Sequence, residues 1–173
     1  DVLWRSNTFS QNLHAECLLK ALAAYERGGV PSGEPGSWVR GTEVLVATLR
    51  GMGLDTRGAV FRDGSGLSHE NRVTAGQVVS LLRVARSRPW GAVFERSLAE
   101  AGGEGTMRTR YGRPGLKGRL VGKTGTLRGV QTLAGLLDQP DQGVLIFAVL
   151  SSGTARGDVV IELAGALASD PAR

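Results

Sequence analysis

The amino-acid sequence predicts an α/β fold in which helices come first and an antiparallel sheet flanked by helices follows. Two observations carry this prediction. Segments in the first half of the chain repeat apolar residues at the spacing of amphipathic helices. The last third instead holds three short apolar, β-prone segments separated by turn-forming residues. Helices segregated from a strand meander are typical of an α/β domain built in layers.

The first half of the chain begins with a predicted helix over residues 11–27, with Ser10 as a candidate N-cap and Gly28-Gly29 as its end. The stretch Val30–Gly36 is rich in Pro, Gly and Ser and is predicted to be a loop. A second helix is predicted over Thr42–Met52, where the apolar residues again share one side.

The middle of the chain alternates short elements with turns. Arg57–Phe61 is predicted to be a short strand that ends at a tight turn over Asp63–Gly66, where the Asp63 side chain accepts hydrogen bonds within the loop. Thr74–Ala85 is predicted to be a helix capped by Thr74. Gly102–Gly118 is the longest stretch without a regular pattern.

Three strands are predicted at Leu120–Thr126, Gln131–Leu137 and Val144–Ser151. The links between them are short, so consecutive strands are expected to pair as an antiparallel meander. Val159–Ala168 closes the chain as a helix that is expected to lie across this sheet.

The composition restricts the class of protein. The net charge is +5, with 18 Arg and 3 Lys, but the arginines are scattered among acidic residues and form no basic stripe. Cys17 is the only cysteine in the sequence, which excludes a disulfide framework. It lies within an apolar helical pattern and is expected to be buried. No apolar run is long enough to span a membrane. The chain starts almost directly with an amphipathic segment, which is expected of a piece of a longer protein.

The strongest local motif is Lys123-Thr124-Gly125-Thr126, on a predicted strand just before a turn. A Lys at a strand edge places a positive charge near a reacting centre, and the Thr hydroxyls can bind a carboxylate. Gly125 leaves room for a substrate backbone to lie against the strand. The triplet Lys-Thr-Gly also occurs at ordinary strand ends, so by itself it leaves function and structure equally open.

A second motif, Ser10-Gln11-Asn12, lies at the start of the first predicted helix. A hydroxyl and a carboxamide on one turn can both point into a cleft, where the hydroxyl relays a proton and the amide holds a substrate carbonyl. The structural alternative is that Ser10 is only an N-cap and Asn12 a solvated first-turn residue.

Together the motifs resemble a known set. Ser-x-x-Lys, Ser-Asp-Asn and Lys-Thr-Gly are the motifs of penicillin-binding proteins and β-lactamases. Three blocks carry the resemblance: residues 10–20, the turn 62–68 with Asn71, and residues 123–135. They come in the same order as in the D-Ala-D-Ala carboxypeptidases of the class C penicillin-binding type, the peptidase S13 family. The chain resembles this family over nearly its whole length. The Asp-Gly-Ser-Gly-Leu turn favours a carboxypeptidase over a β-lactamase or esterase of the same fold.

The resemblance implies a serine acyl-transfer fold, the penicillin-binding and β-lactamase-like transpeptidase fold. It also implies a protein that acts on peptidoglycan stem peptides and β-lactams. Such a protein is expected outside the cytoplasm, in the periplasm or cell wall. It implies that Ser10 shuttles a proton, Asn12 holds the substrate amide and Lys123 makes the cleft positive. It further implies that Thr124 and Thr126 receive the terminal carboxylate, beside Gly125, with the Thr126 N–H as half of an oxyanion hole. No metal, cofactor or nucleic acid is implied.

One departure from the family pattern is decisive. No Ser in the chain has a Lys three residues later, so the Ser-x-x-Lys motif that carries the nucleophile is absent. Residues 1–173 are therefore expected to be the C-terminal portion of the penicillin-binding domain, with the nucleophile on an N-terminal portion of the same protein. Gln11 stands where the family pattern leads us to expect Asn or Asp. Two other interpretations stay open: a peptide-binding remnant without catalysis, and a basic module that binds a polyanion.

Overall fold

The structure, a computed structural model, describes residues 1–25, 33, 35–153 and 159–169. The chain divides into two units, one formed by Asp1–Ser10 with Val78–Arg173 and the other by Gln11–Gln77. The division falls within the helix α4 (Ala75–Arg86). Among the described residues, no helix is long and apolar enough to cross a membrane.

The first unit contains a four-stranded antiparallel sheet in the order β1-β2-β3-β4. The strands are β1 (Ala99–Glu100), β2 (Leu120–Leu127), β3 (Val130–Gln139) and β4 (Gly143–Ser152). The predicted meander is confirmed, because β2 pairs with β3 and β3 with β4 along their whole lengths. Strand β1 adds a two-residue edge that the sequence did not predict.

One face of this sheet is closed by the C-terminal helix α6 (Val159–Ser169). Val160, Ile161 and Ala164 of α6 are almost fully buried and belong to one apolar core with strand residues such as Leu133 and Leu137. The predicted helix across the sheet is therefore confirmed. Helical spacing places residues 160, 161 and 164 on one side of α6, and that side supplies the contact.

Two short helices of the first unit were not predicted. They are α1 (Val2–Thr8) and α5 (Gly91–Ser97), each seven residues long. Two turns are too few for an apolar repeat to be visible in the sequence, so both depend on tertiary packing. The predicted irregular stretch 102–118 is confirmed apart from one 3₁₀ turn at Gly105–Met107.

The second unit is built on a helix pair. Helix α2 (Asn12–Ala24) ends before the predicted Gly28-Gly29, because Tyr25 adopts an extended backbone; residues 26–32 lie outside the described part. Helix α3 (Trp38–Gly51) begins four residues earlier than predicted, with Ser37 as N-cap. Gly41 lets the helices approach closely, since a Cβ there would lie 2.5 Å from the Leu19 carbonyl oxygen.

Two further expectations for the second unit were wrong. Cys17 is exposed, because the buried side of α2 is formed by Leu19 and Ala23. The predicted strand at 57–61 is reduced to a single bridge between Val60 and Arg72, since no longer partner strand runs beside it within the described residues.

The turn after this bridge is held by carboxylates. Asp63 accepts hydrogen bonds from the N–H groups of Gly66 (2.9 Å) and Ser68 (2.6 Å) and from the Asn71 amide (2.8 Å). The predicted role of Asp63 as turn acceptor is thus confirmed. His69 of the same turn is exposed.

The helix after the turn, α4 (Ala75–Arg86), begins with the predicted Thr74 cap. The Gln77 N–H donates to the Thr74 hydroxyl at 3.1 Å, and the Thr74 N–H donates to the Gln77 side chain at 2.9 Å. This is the reciprocal arrangement of a capping box, which satisfies two N–H groups at the helix start.

Glu16 of α2 connects the helix pair to this turn. Its carboxylate accepts hydrogen bonds from the N–H groups of Gly64 and Ser65, each at 3.0 Å, and from the Trp38 indole at 2.8 Å. Burial alone would raise the pKa of Glu16, but the hydrogen bonds to its charged form outweigh burial and hold the pKa below its usual value.

We expect Glu16→Gln to lower the free energy of unfolding by about 1–2 kcal/mol at pH 7, because hydrogen bonds to a partly solvated charge are replaced by weaker ones. A lowered folded-state pKa gives stability that is present above the unfolded value of 4.5 and is lost as pH falls through the folded value. Denaturant unfolding at a series of pH values should therefore show the difference shrinking below pH 4.5. Glu43→Gln, at an exposed site on α3, is the matched control. A difference that is independent of pH would contradict this role of Glu16.

Candidate active site

Ser10 and Lys123 meet in the first unit although 113 positions separate them in sequence. The Lys123 ammonium donates a hydrogen bond of 2.7 Å to the Ser10 hydroxyl and a second one of 2.7 Å to the Thr124 carbonyl. The hydroxyl accepts from Lys123, so its own proton remains available to a further acceptor. Two residues that the sequence selected independently thus form one polar pair.

Ser10 is placed by helix α1, which ends two residues before it. The Asn7 amide donates to the Ser97 hydroxyl and the Thr8 hydroxyl to the Ser97 carbonyl, each at 2.8 Å. Thr8 and Ser97 are buried. The Thr8 carbonyl lies against Gly105, where any Cβ would clash with it. The end of α1 is therefore fixed on two elements of its own unit.

The backbone of Ser10 is strained. Its φ angle is +56°, in the left-handed region that residues other than Gly rarely adopt. Ser10 is also not the N-cap that the sequence offered as an alternative, because α2 begins at Asn12 with Gln11 as its cap residue. Strain of this kind persists only where surrounding contacts enforce it and is often found at functional sites.

The edge of strand β2 is partly open. Strand β1 pairs only with Val121 and Gly122, so within the described part of this unit no strand pairs with the same edge from Lys123 onward. The Ala101 N–H donates to the Leu120 carbonyl across this edge. Backbone groups alternate along an antiparallel strand, so those of Thr124 and Thr126 point to the open edge as well.

Gly125 faces the opposite direction in this alternation. A Cβ at Gly125 would clash with the Thr132 hydroxyl on β3. The Thr132 hydroxyl ends a side chain that can turn away, so this contact disfavours a larger residue at Gly125 but does not exclude one. The prediction that Gly125 leaves space for a substrate backbone to lie against the strand is separate and stays a prediction.

The surroundings of Lys123 change the pKa of its side chain. Burial disfavours the charged form, and this lowers the pKa of the Lys123 ammonium from its usual value. The hydrogen bonds to Ser10 and to the Thr124 carbonyl orient the ammonium. A lysine of this kind is easier to deprotonate than one in water, which suits a group that exchanges a proton with a neighbouring hydroxyl.

Asn12 is the first residue of α2, in the second unit, and its side chain is exposed. Its part in a site therefore stays a prediction. The residues that sequence analysis missed are those that fix α1, namely Asn7, Thr8 and Ser97. No local pattern marks them, since their contacts join residues about 90 positions apart. In the described part of the chain, no group of three or more His, Cys, Asp or Glu residues could hold a metal ion.

Comparison with known proteins identifies a family and several relatives. The model of the D-Ala-D-Ala carboxypeptidase 3 (S13) family matches residues 1–167. A D-alanyl-D-alanine carboxypeptidase of Actinomadura sp. (strain R39) is 39% identical over 150 residues, which cover 84% of this chain and 27% of that protein. Carboxypeptidase DacB of Mycolicibacterium smegmatis is 34% identical over 152 residues, covering 83% of this chain and 31% of the relative. The chain thus spans about a third or less of these relatives.

A solved structure agrees with the fold. Penicillin binding protein 4 (dacB) from Haemophilus influenzae, whose crystal structure contains a β-lactam, superposes with a TM-score of 0.81 at 28% identity. The match covers 92% of this chain and 36% of that protein. The α/β fold with an antiparallel sheet flanked by helices, expected from the resemblance to penicillin-binding proteins, is confirmed.

We expect Ser10→Gly to be more stable than Ser10→Ala by about 1 kcal/mol, although both remove the hydroxyl. Glycine adopts a positive φ without steric cost, whereas alanine keeps the strain. At an unstrained position the order is reversed, because glycine loses more backbone entropy on folding. Thermal and denaturant unfolding of the two variants measures the difference. An alanine variant equal to or more stable than the glycine variant would contradict the strained backbone at Ser10.

Proposed function

The chain belongs to the D-Ala-D-Ala carboxypeptidase 3 (S13) family, and from this membership we propose that it forms part of the catalytic cleft of a serine D-Ala-D-Ala carboxypeptidase. Its substrate is the peptidoglycan stem peptide, from which it releases the terminal D-Ala. The observation that carries the proposal is the 2.7 Å hydrogen bond from Lys123 to Ser10, because it joins one residue from each of the two motifs.

The nucleophile in this proposal is the serine of a Ser-x-x-Lys motif outside residues 1–173, since the chain has none. Its hydroxyl gives its proton to a basic group of that outside portion while its oxygen attacks the carbonyl of the penultimate D-Ala, and the bond to the terminal D-Ala nitrogen then breaks. The terminal D-Ala leaves as a free amine, and the remaining peptide forms an ester with the serine. Water then hydrolyses the ester and regenerates the serine. The chain covers about a third or less of the length of its relatives, so their sequences are long enough to include such a portion.

Ser10 and Lys123 move the proton to the leaving amine. The Ser10 hydroxyl accepts from Lys123, so its own proton can pass to the nitrogen as the C–N bond breaks, while Lys123 returns a proton to the Ser10 oxygen. The lowered pKa of Lys123 supports this exchange, because it brings the ammonium closer to the acidity of a useful proton donor. Until it gives up that proton, the positive charge of Lys123 stabilises oxygen atoms that become negative in the transition state, and the proton that the nucleophile released returns to Lys123 afterwards.

The open edge of β2 binds the substrate in the extended form. Backbone groups of Thr124 and Thr126 point to this edge, and the Thr126 N–H supplies half of an oxyanion hole. The hydroxyls of the two threonines receive the terminal carboxylate, and Asn12 holds the substrate amide. A β-lactam reacts with the same serine but remains bound as an ester. Because stem peptides lie in the cell wall, the protein acts outside the cytoplasm.

A second candidate function is that of a peptide-binding remnant without catalysis, in which the edge of β2 beyond Gly122 holds the stem peptide and no acyl-enzyme forms. The two functions differ in covalent chemistry. A carboxypeptidase forms a stable adduct with penicillin, whereas a remnant binds stem peptide without forming one.

We expect the protein that joins this chain to its Ser-x-x-Lys portion to release D-Ala from a stem peptide ending in D-Ala-D-Ala and to gain the mass of penicillin. Peptide mapping by mass spectrometry should place the adduct on a serine outside residues 1–173. The isolated chain serves as the control and should form no adduct, since it lacks the nucleophile. An adduct on the isolated chain, or no D-Ala release by the joined protein, would contradict the proposal.

A further inference from the structure

The cations are scattered over the chain as a whole, but one stretch departs from this pattern. Residues 105–137 contain seven Arg and Lys residues and no Asp or Glu. The net charge of the whole chain is +5, so the rest of the chain is slightly acidic overall. Five of the seven cations lie in the segment that leads into β2, at positions 108, 110, 113, 117 and 119. The positive charge of the protein is therefore concentrated just before this strand.

Buried side chains hold this segment on the first unit. Four of them belong to the apolar core that also contains α6, and all are almost fully buried: Met107, Tyr111, Leu116 and Leu120. The Gly118 N–H donates to the Ala101 carbonyl at 3.1 Å. Arg108, Arg113 and Lys117 lie between these anchors and are exposed. The three cations therefore project from a fixed backbone.

Contacts of two glycines bring these cations together. A Cβ at Gly102 would lie 2.8 Å from the Lys117 Cγ and 3.4 Å from the Gly112 Cα, so both groups lie against Gly102. A Cβ at Gly112 would lie 3.0 Å from the Arg108 carbonyl oxygen. The Lys117 N–H donates to the Arg113 carbonyl at 3.1 Å. Arg108, Arg113 and Lys117 thus form one cluster, here called the basic surface.

The charges of the basic surface are not neutralised within the described part of the chain. There, no acidic side chain forms an ion pair with Arg108, Arg113 or Lys117. The next cation, Arg119, donates to the carbonyls of Asp138 at 2.9 Å and Gly115 at 3.0 Å, and these groups carry no net charge. Uncompensated positive charges that lie close together attract a polyanion.

The other side chains of the segment restrict the kind of polyanion. Its aromatic residue, Tyr111, is buried, so no ring is available to stack on nucleic-acid bases. Met107 and Leu116 are buried as well, so the segment has no large apolar side chain to insert into a membrane surface. A polymer with many separate carboxylates needs neither contact. Peptidoglycan is such a polymer, because many stem peptides are attached to one strand and each uncleaved one ends in a carboxylate.

The basic surface is distinct from the candidate active site. None of its three cations lines the cavity beside Thr124 and Thr126. Lys117 precedes β2, which begins at Leu120, and Thr124 lies four residues further along the strand, a rise of about 13 Å. A stem peptide in the cleft would therefore leave the basic surface free for neighbouring stem peptides of the same polymer.

We propose that the basic surface docks the protein on peptidoglycan by binding carboxylates of stem peptides that are not in the cleft. The inference rests on the proposed function, because that function names the polymer. A second point of attachment keeps the cleft close to further stem peptides. It should therefore increase D-Ala release from the polymer but not from a short soluble peptide.

The test uses the protein that joins this chain to its Ser-x-x-Lys portion. The main variant combines Arg113→Gln with Lys117→Gln, and Arg108→Gln is a second, milder variant. The matched control combines Arg83→Gln with Arg96→Gln, which removes two exposed cations elsewhere in the same unit. Melting temperatures of all variants check that they are folded.

Binding is measured by sedimentation with insoluble peptidoglycan freed of attached polymers, in its native form and with its carboxylates converted to carboxamides. D-Ala release is measured from the native polymer and from one soluble stem peptide. Binding to DNA and to vesicles of anionic phospholipid is measured in parallel.

At low ionic strength, the main variant is expected to bind native peptidoglycan about 3- to 10-fold more weakly, the scale for losing two exposed ion pairs, and Arg108→Gln about two- to threefold more weakly. Added salt should reduce both differences, because it screens exposed charges. The kcat/KM for D-Ala release from the polymer should fall with binding, whereas that for the soluble peptide should stay within about 1.5-fold. The control should match the unmodified protein, and all proteins should bind the amidated polymer equally.

Unchanged binding by the main variant, an equal loss in the control, a difference that persists on the amidated polymer, or an equal loss on the soluble peptide would overturn the inference. Tighter binding of DNA or of vesicles than of peptidoglycan would overturn it as well. Binding requires no turnover, so it decides the role of the basic surface separately. If the unmodified protein releases no D-Ala from the soluble peptide, the proposed function fails instead.

Discussion

The hydrogen bond from Lys123 to Ser10 is the contact on which the rest of the candidate site depends. It joins the first ten residues to the inner strand β2 of the sheet within one unit. A charged donor and a hydroxyl at 2.7 Å interact more strongly than two neutral groups. Burial makes the Lys123 charge costly, so each acceptor around it matters more than it would on the surface.

The structure around this bond holds both of its ends. On one side, the contacts of Asn7 and Thr8 with Ser97 fix the end of α1, and the strained backbone of Ser10 directs its hydroxyl to Lys123. On the other side, β2 is paired along its whole length with β3, and among the residues that the structure describes no strand pairs with its other edge beyond Gly122. A rigid pair next to an open strand edge is suited to hold an extended substrate while a proton is transferred.

The sequence predicted the parts of the fold that depend on local patterns. The strands β2 to β4 alternate or run as apolar segments between turn residues, and the Thr74 cap lies three residues before its partner Gln77. The strand β1 could not be predicted, because two residues form a strand only through pairing with β2. The site was predictable in its residue types but not in its geometry. Nothing in Ser10-Gln11 indicates a φ of +56°, and the neighbouring Thr8 is held by a hydrogen bond to Ser97, 89 positions away, that no local pattern encodes.

The most direct test of the account is a double-mutant cycle on the rate of penicillin acylation, with Ser10→Ala and Lys123→Ala singly and together in the protein that contains the nucleophile. If the two residues act as one unit in proton transfer, each single substitution should lower the rate by roughly 100-fold, and the double substitution should lower it by little more than either alone. Two results would contradict the claim that Lys123 and Ser10 transfer the proton together through their hydrogen bond. One is independent effects on the acylation rate that multiply to about 10,000-fold in the double variant. The other is a rate in each single variant within threefold of that of the unmodified protein.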